Sequence, residues 1–319
     1  ADMIIVNPAV SKDSKFLQIA RNNNVSLNTE MNIFFKLCPA QIIGITGSNG
    51  KSTTTTIIGQ ILQQTQRKTW TGGNIGKSLL IHLEEIKPSD IVVLELSSFQ
   101  LEELNNIKKS PHISVLTNIS PNHLDRHPTL DNYIQAKKSI ILHQNQYDYA
   151  ILNYDDHELR RWERECKGHI CWYSTKHALN NGVFIKDDNI VLLINGNKTL
   201  IPNITRIKIP GNHNLQNILA ASCASYLAGA NKSHIKNIIT NFTGLEHRLE
   251  FVSEVNGVKY YNDSKATTPE STIAAIKAFN APVILIAGGY DKGSSFEEFA
   301  DTCAKYTKAV VLIGKTAEK

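Results

Sequence analysis

A short apolar run that ends in a glycine-punctuated turn and then opens a helix is the feature that most constrains the fold of this chain. Residues 42–53 read Ile-Ile-Gly-Ile-Thr-Gly-Ser-Asn-Gly-Lys-Ser-Thr. This order predicts a β-strand, a tight loop, and a helix that carries Lys51 and Ser52 at its first residues. Such a strand–loop–helix unit is typical of α/β proteins that hold a polyphosphate group.

The chemistry of this loop suits phosphate. Gly47 and Gly50 let backbone N–H groups converge on anionic oxygens, and the helix N-terminus adds a favourable dipole. Lys51 neutralises negative charge, and the Ser52 hydroxyl can bind Mg²⁺. The spacing is shorter than in the usual P-loop, because Ile45 stands where a glycine is expected, five residues before Gly50. An ordinary glycine-rich turn between a strand and a helix is therefore the alternative.

Length and composition indicate a globular protein. The chain has 319 residues, 41% of them hydrophobic and 20% charged, which is enough for two or three domains with real cores. No apolar run approaches the length of a membrane span, and residues 1–30 lack the layout of a signal peptide. The net charge of +5 comes from scattered lysines, so it is weak evidence for nucleic acid, which we do not expect as a partner. It is equally typical of an enzyme with anionic substrates.

The cysteines favour a reduced compartment. Their number is odd and they are far apart in the sequence, so we expect a cytoplasmic protein and no disulfide framework. Cys166, His169 and Cys171 lie close together, and a zinc site is the alternative there, although no fourth ligand is evident. The five cysteines are Cys38, Cys166, Cys171, Cys223 and Cys303.

The chain divides into three predicted parts. Residues 1–36 hold a short strand and a helix-like run, which are too little to bury a core, so we interpret them as the remnant of a domain whose start is absent. Residues 37–244 alternate strands and helices, which predicts a central domain with a mostly parallel sheet. Residues 245–319 begin another α/β domain, Rossmann-like and incomplete at its end.

Individual elements follow from local patterns. Short β-branched runs over residues 91–94 and 113–116 predict buried parallel strands. Asn-Gly pairs at 195–196 and 181–182 predict tight hairpins. The other predicted elements are a strand over 3–6, helices over 15–22, 55–64, 269–279 and 296–306, a helix-rich stretch over 215–242, and strands on both sides of 256–257 and over 283–287 and 309–313.

Glu95 follows the run 91–94 directly. A carboxylate at the carboxyl end of a strand beside a phosphate-loop strand is where an acid that holds Mg²⁺ belongs. A glutamate that simply faces water at the strand end is the alternative. The continuation over residues 95–101 reads Glu-Leu-Ser-Ser-Phe-Gln-Leu.

This continuation resembles the Mur ligase family, and in particular the branch that adds D-glutamate. The resemblance covers almost the whole chain. The eight similar stretches are residues 46–53, 72–76, 95–101, 122–127, 211–217, 246–250, 262–267 and 288–293. The phosphate loop, the histidine motif and the Asn-rich helix start are shared by the wider family, including folylpolyglutamate synthetases. The stretches 95–101 and 262–267 point to the D-glutamate branch.

The resemblance implies an ATP-dependent ligase of cytoplasmic peptidoglycan precursor synthesis. ATP would phosphorylate a carboxylate of UDP-N-acetylmuramoyl-L-alanine, and the amine of D-glutamate would attack the acyl phosphate. It further implies two Mg²⁺ ions, and we expect a monomer. Alternatives are a family member that adds another amino acid or acts on folate, and a nucleotide-binding fragment that does not catalyse. Because the UDP-binding domain is represented only by residues 1–36, we expect the 319 residues, taken alone, to bind nucleotide without completing ligation.

The same resemblance implies the residues of the phosphate and metal site. Ser52 and Glu95 would hold the first Mg²⁺, His123 the second, and Asn74 would contact the transferred phosphate. The loop residues that would hold the phosphates of ATP are Gly47, Ser48, Asn49, Gly50, Lys51, Ser52 and Thr53. Lys137 would be carbamylated by CO₂ and so present oxygens to the metal. A surface histidine and a solvated Lys137–Lys138 helix face are the alternatives.

The remaining implied residues lie later in the chain. Asn214 and Asn217 would contact adenine, although Asn214 could instead cap a helix. Arg248 would reach the phosphates and Asp263 the ribose. The residues that would line the substrate side are Lys265, which is also implied in catalysis, Thr267 and Lys292. One departure concerns residues 7–9, which read Asn-Pro-Ala where the family usually has Ser-Pro-Gly.

Overall fold

The computed structural model of the protein describes residues 1–7, 10–11, 13–76, 78–120, 127, 129–202, 204–290 and 295–318. The chain forms two units: Ala1–Asn203 with Gln216–Ile238, and Ile204–Leu215 with Ile239–Lys319. The predicted α/β class with a mostly parallel central sheet is confirmed.

The first unit is built on a nine-stranded sheet in the described part of the chain. Its strands are β3 (Gln41–Thr46), β4 (Thr69–Gly73), β5 (Ile91–Glu95), β6 (Ile113–Leu116), β7 (Tyr149–Asn153), β8 (His169–Ser174), β9 (Gly182–Lys186), β10 (Asn189–Ile194) and β11 (Asn197–Pro202). They are arranged in the order β11-β10-β9-β8-β7-β6-β3-β5-β4. Strands β1 (Met3–Ile5) and β2 (Ser26–Asn28) form a separate parallel pair.

Strand β3 lies in the middle of the parallel part and pairs with β5 on one side and β6 on the other. The side chains of Ile43, Ile45 and Val93 are 0% exposed, which explains why these strands are continuous apolar runs. From β3 the chain continues towards β4 on one side, and from β5 it crosses to β6 on the other. In open α/β sheets ligands bind outside the carboxyl ends of strands at such a switch point.

Helices occur in both units. Their bounds are α1 (Lys15–Asn22), α2 (Glu30–Leu37), α3 (Lys51–Leu62), α4 (Ser98–Asn106), α5 (Leu130–Leu142), α6 (His157–Arg161), α7 (Asn212–Leu227), α8 (Lys232–Asn241), α9 (Pro269–Ile276) and α10 (Glu297–Tyr306). Ser97 begins α4 with a capping box, in which its hydroxyl accepts from the Gln100 N–H and the Gln100 side chain accepts from the Ser97 N–H. Among the described residues, no helix combines the length and apolarity that crossing a membrane requires.

The predicted hairpin at Asn181–Gly182 is wrong. Strands β8 and β9 on either side of it are parallel, with Trp172 opposite Gly182. A Cβ atom at Gly182 would lie 2.0 Å from the Trp172 carbonyl oxygen, so the glycine serves close strand approach and not a turn. The hairpin between β9 and β10 turns instead at Asp187 and Asp188, whose φ angles are 49° and 55°. The predicted hairpin at residues 195–196 is confirmed by the β10–β11 ladder.

The second unit contains two small sheets. Strands β12 (Glu250–Val255) and β13 (Val258–Asn262) are antiparallel, and β14 (Val283–Gly289) and β15 (Thr307–Gly314) are parallel. The predicted elements of this unit are present, with small differences in bounds. Helix α9 ends at Ile276 and not at residue 279, and α10 begins one residue later than predicted. Strands β14 and β15 are longer than the predicted 283–287 and 309–313.

The outer face of β14 leads to a prediction about solubility. Ile284 and Ile286 are 65% and 68% exposed, whereas parallel strands are usually covered on both faces. We expect Ile286→Lys to reduce self-association of the chain, measured by light scattering over a concentration series, and to leave its thermal midpoint unchanged. Leu285→Lys on the opposite face is the control and should lower the midpoint. Equal scattering by Ile286→Lys and the unchanged chain would contradict the prediction.

Candidate active site

The loop between β3 and α3 is held in place by the residues that follow β6. The Ser48 N–H donates to the Asn118 carbonyl and the Asn49 N–H to the Asn118 side-chain oxygen, both at 2.9 Å. Gly47 and Gly50 have φ angles of 146° and 85°, which other residues adopt only with strain. The Lys51 ammonium donates to the Gly47 and Ser48 carbonyls, each at 2.9 Å. The loop is therefore held in a fixed conformation by hydrogen bonds, and the Lys51 side chain lies against its carbonyl groups.

A buried carboxylate ends the neighbouring strand. Glu95 is 2% exposed and pairs in register with Ile45, just before the loop. The Asn74 side chain donates to Glu95 Oε1 at 2.9 Å, and its N–H donates to the Glu95 carbonyl at 2.8 Å. Glu95 Oε2 is buried and has no hydrogen-bond partner among the described residues. Buried polar atoms are nearly always paired, so this oxygen has the character of a ligand for a cation.

Lys137 lies beneath the same loop. Its ammonium group is 2.9 Å from the Gly47 carbonyl and 3.4 Å from Thr46 Oγ1, and it is 4.6 Å from the centre of the Tyr133 ring. Burial, and secondarily the charge of Lys51, lowers the pKa of Lys137 well below its usual range, while Glu95 acts in the opposite direction.

The solvated-face alternative for this part of α5 is wrong. Lys137 is 2% exposed, and its neighbour Lys138 is 7% exposed. Lys138 is bound to the Glu165 carboxylate at 2.7 Å and lies over the Trp162 ring. The two lysines therefore have different environments: one contacts the phosphate loop and the other forms a local ion pair.

Tyr133 and His127 are not among the predicted site residues, but both are buried and hydrogen-bonded in this region. The Tyr133 hydroxyl lies 3.0 Å from Ser48 Oγ, and burial raises the pKa of this phenol to about 12. His127 Nε2 lies 2.9 Å from Ser98 Oγ, and its Nδ1 lies 3.7 Å from Glu102.

The order of hydroxyl, imidazole and carboxylate around His127 is that of a hydrolase triad. Ser98 and His127 are both only 2% exposed, so a substrate has no access, and the arrangement fixes the start of α4. The position of His127 within the motif 122–127 was its only signal in the sequence.

Two predicted site residues cannot be placed. His123 and Lys292 lie outside the described residues. Ser52 lies in the first turn of α3 and is half-buried, and Thr53 beside it is buried.

Asn217 on α7 packs directly against the phosphate loop. Its Oδ1 lies 3.4 Å from Thr54 Oγ1, and a Cβ atom at Gly50 would lie 2.2 Å from the same oxygen. Asn214 is in the first turn of α7, which begins at Asn212, and its side chain donates to the Pro210 carbonyl at 2.7 Å. Asn214 therefore does not occupy the capping position, and that alternative is wrong.

Gly50→Ala is expected to impair both stability and nucleotide binding. The added methyl group would meet Asn217 at 2.2 Å in a left-handed backbone, so the loop must shift at a cost of about 1–3 kcal/mol. Gly76→Ala is the matched control, because Gly76 also has a positive φ of 70° but nothing within 4 Å of its Cβ position. Chemical denaturation and calorimetric titration with an ATP analogue measure the two effects. Equal losses in both variants would show that the contact with Asn217 is irrelevant.

The second unit holds the other predicted contacts around one turn. Asp263 accepts the Leu249 N–H at 3.0 Å, and burial raises the Asp263 pKa while the Leu249 hydrogen bond and the Arg248 charge act against this. Arg248 Nε is buried without a hydrogen-bond partner among the described residues. The side chains of Lys265 and Thr267 are exposed. Lys265 is joined to the turn by its backbone, whose N–H donates to the His247 carbonyl at 3.0 Å.

The zinc alternative finds no support in the described part of the chain. Cys171 lies in the core against Cys223, and no group of three or more His, Cys, Asp or Glu side chains that could hold a metal is present among the described residues. The five cysteines are all free thiols.

Comparison with known proteins gives matches along most of the chain. Residues 45–225 match the Mur ligase middle domain, and residues 247–319 match the Mur ligase glutamate ligase domain. The chain is 44% identical over 318 residues to the UDP-N-acetylmuramoylalanine–D-glutamate ligase of Thermoanaerobacter pseudethanolicus, covering 100% of this chain and 70% of that protein. Identity to the protein of the same name from Acetivibrio thermocellus is also 44% over 318 residues, with 100% and 67% covered.

Solved structures agree in fold. The MurF ligase of Thermotoga maritima, solved in complex with ADP, superposes with a TM-score of 0.68 at 18% identity over 99% of this chain and 76% of that one. The MurF structure from Acinetobacter baumannii gives 0.66 at 18% identity, over 97% and 81%. With two domain matches and relatives above 40% identity over its full length, the chain belongs to the Mur ligase family.

Proposed function

We propose that this chain is an ATP-dependent ligase that joins D-glutamate to UDP-N-acetylmuramoyl-L-alanine through an acyl phosphate, in cytoplasmic peptidoglycan precursor synthesis. The observation that carries the proposal is the buried Glu95 Oε2, which has no hydrogen-bond partner within the described ranges and lies at the same sheet edge as the glycine loop and Lys51. The choice of D-glutamate is supported by the names of the relatives at 41–44% identity.

The residues at this edge fit a magnesium–nucleotide complex. Helix α3 begins at Lys51, directly after the loop. The first N–H groups of an α-helix have no acceptor within the helix, so they can donate to the oxygens of a phosphate group. Glu95 and Ser52 would supply oxygen ligands, which are the kind that Mg²⁺ prefers. Bound ATP supplies a transferable phosphoryl group and its Mg²⁺ neutralises charge on it.

Side chains of the protein then position the transferred phosphoryl group and neutralise its negative charge. Lys51 would leave the Gly47 and Ser48 carbonyls to pair with phosphate oxygens. Asn74, whose side chain donates to Glu95, is proposed to contact the transferred group. The substrate carboxylate oxygen bonds to the phosphorus as the bond to ADP breaks. The amine of D-glutamate then forms the amide bond, and phosphate leaves with the carboxylate oxygen. One proton of the amine is released.

We further propose that Lys137 carries a carbamate. Its nitrogen attacks the carbon of CO₂, the N–C bond forms, and one proton is released. A neutral amine is needed for this step, and the burial that lowers the Lys137 pKa favours that form. The carbamate oxygens and His123 would be the ligands of a second Mg²⁺, which would neutralise further phosphate charge. Asn214 and Asn217 are proposed for adenine, Asp263 for ribose, Arg248 for phosphate, and Lys265, Thr267 and Lys292 for the reacting substrates. We propose a monomer.

Product analysis with the purified chain tests the proposal. ADP release should require UDP-N-acetylmuramoyl-L-alanine and D-glutamate together, and oxygen-18 placed in the substrate carboxylate should appear in the released phosphate. Reactions with L-glutamate, other amino acids or a folate acceptor are the control arms. Turnover only in a control arm would assign another substrate. Turnover would correct the expectation from the sequence that the 319 residues alone bind nucleotide without completing ligation. ATP binding in calorimetry without any turnover would confirm that expectation, favour the nucleotide-binding alternative and overturn the ligase proposal for this chain.

A further inference from the structure

Arg248 lies between two residues in an unusual backbone conformation. His247 and Leu249 have φ angles of 63° and 44°, in the left-handed region. A bulky residue such as leucine rarely adopts this conformation, and it persists only where the surroundings impose it. Left-handed residues on both sides fix the direction in which the Arg248 side chain leaves the backbone.

Every backbone N–H of this turn has an acceptor. The His247 N–H donates to Glu250 Oε2 at 2.7 Å, the Arg248 N–H to the Leu245 carbonyl at 3.1 Å, and the Leu249 N–H to Asp263 Oδ1 at 3.0 Å. Two of the three acceptors are carboxylates, which form stronger hydrogen bonds than neutral groups. The turn is therefore clamped from both ends by negative charge.

Glu250 is the member of this clamp without a proposed ligand. Its carboxylate also accepts from Asn262 Nδ2 at 3.4 Å and lies 3.6 Å from His247 Nδ1. Its backbone is fixed by pairing with Asn262 in the β12–β13 ladder. These contacts of Glu250 are all with His247 in the turn or with Asn262 in the adjacent strand β13.

We propose that Glu250 is a positioning residue for nucleotide binding: by holding the His247 N–H, it keeps His247 and Leu249 left-handed on either side of Arg248 and so sets the direction of the Arg248 side chain. This inference rests on the proposed function, in which Arg248 reaches the phosphates. Asp263 holds the other end of the turn, but its proposed contact with ribose means that its variants cannot separate the two roles. Glu250 offers that separation.

Substitution of Glu250 with rescue at residue 247 tests the inference. Glu250→Ala is expected to weaken ATP binding about tenfold, because a charge-assisted hydrogen bond is lost and Arg248 is no longer aimed. Glu250→Gln retains an acceptor and should lose less than about threefold. In the Glu250→Ala background, His247→Gly should restore affinity to within about threefold, since glycine adopts a positive φ without the clamp. His247→Ala is the matched control, because it removes the same imidazole without easing the backbone, and it should not rescue.

Amide hydrogen exchange gives a second readout that needs no nucleotide. Exchange at the amides of residues 247 and 249 should accelerate in Glu250→Ala while far-UV circular dichroism is unchanged. Unchanged exchange, or equal rescue by His247→Gly and His247→Ala, would overturn the inference. Accelerated exchange with unchanged ATP affinity would show that the clamp does not position Arg248. A wild-type chain that binds no ATP would overturn the proposed function, and exchange alone would then decide whether the clamp exists.

Discussion

Glu95→Gln is expected to abolish the Mg²⁺ dependence of ATP binding and to weaken that binding by about a hundredfold, since even changes around metal ligands cost ~10–100-fold. The substitution keeps the shape of the side chain and removes one charge from a site where Oε2 has no partner among the described residues. Because a buried unpaired charge is itself costly, the thermal midpoint of the nucleotide-free chain should not fall. Calorimetric titration with a non-hydrolysable ATP analogue, with and without Mg²⁺, measures the first effect.

A carboxylate just before the same strand provides the control. Asp90 is 4% exposed and accepts from the Trp70 indole at 2.9 Å and the Lys87 N–H at 3.1 Å, and the indole hydrogen bond lowers the pKa of Asp90. Asp90→Asn should therefore cost about 1–3 kcal/mol of stability and leave ATP binding unchanged. If Glu95→Gln destabilised the chain like Asp90→Asn and still bound Mg²⁺–ATP, Glu95 would be a structural residue.

Lys137→Met is expected to eliminate carbamate formation and to reduce turnover about 10²- to 10³-fold, the usual loss when one pre-organised electrostatic group is removed. Among the described residues, the hydrogen-bond acceptors of the buried Lys137 nitrogen are the Gly47 carbonyl and Thr46 Oγ1, so an apolar chain of similar length should not destabilise the fold. Nuclear magnetic resonance with carbon-13 bicarbonate detects the carbamate directly, before any substrate is added.

The adjacent lysine separates this effect from a general loss of charge. Lys138→Met breaks the ion pair with Glu165 and should lower stability while keeping both the carbon-13 signal and turnover. Lys137→Met with full turnover, without added bicarbonate or a small carboxylate, would contradict the carbamate role. If the carbamate signal disappeared with Lys138→Met and persisted with Lys137→Met, the modified residue would be Lys138 and the proposal for Lys137 would be wrong.

The parallel sheet could be predicted because its strands are encoded locally. Strand β6 has the predicted bounds, since a run of β-branched residues between polar turns has few other solutions. The Asn181–Gly182 pair misled for a physical reason: the glycine is needed for the approach of the Trp172 carbonyl, and a sequence does not distinguish this need from a turn. The two aspartates that do turn the chain have side chains that tolerate a left-handed backbone, but they are a weaker signal than Asn-Gly.

The environment of the site residues could not be predicted from local patterns. The helical periodicity of the sequence predicts that Lys137 and Lys138 face solvent. Both are buried, and their hydrogen-bond partners are 90 and 27 residues away in the sequence. Resemblance to a family selected Lys137, whereas no residue pattern did. The clamp around Arg248 is similar, because Leu249 meets Asp263 only after β12 and β13 have paired.

The central position of β3 has a consequence for how the protein is made. This strand is synthesised before both of its neighbours, β5 and β6, so its isoleucines leave the ribosome without a partner. At translation rates of about 5–20 residues per second, several seconds pass before β6 emerges and the strand is covered on both sides. The β10–β11 hairpin, in contrast, closes within its own few residues. The strand that leads into the phosphate loop is thus made before both of the strands that cover it, and chaperones that bind apolar segments are expected to meet the nascent chain there.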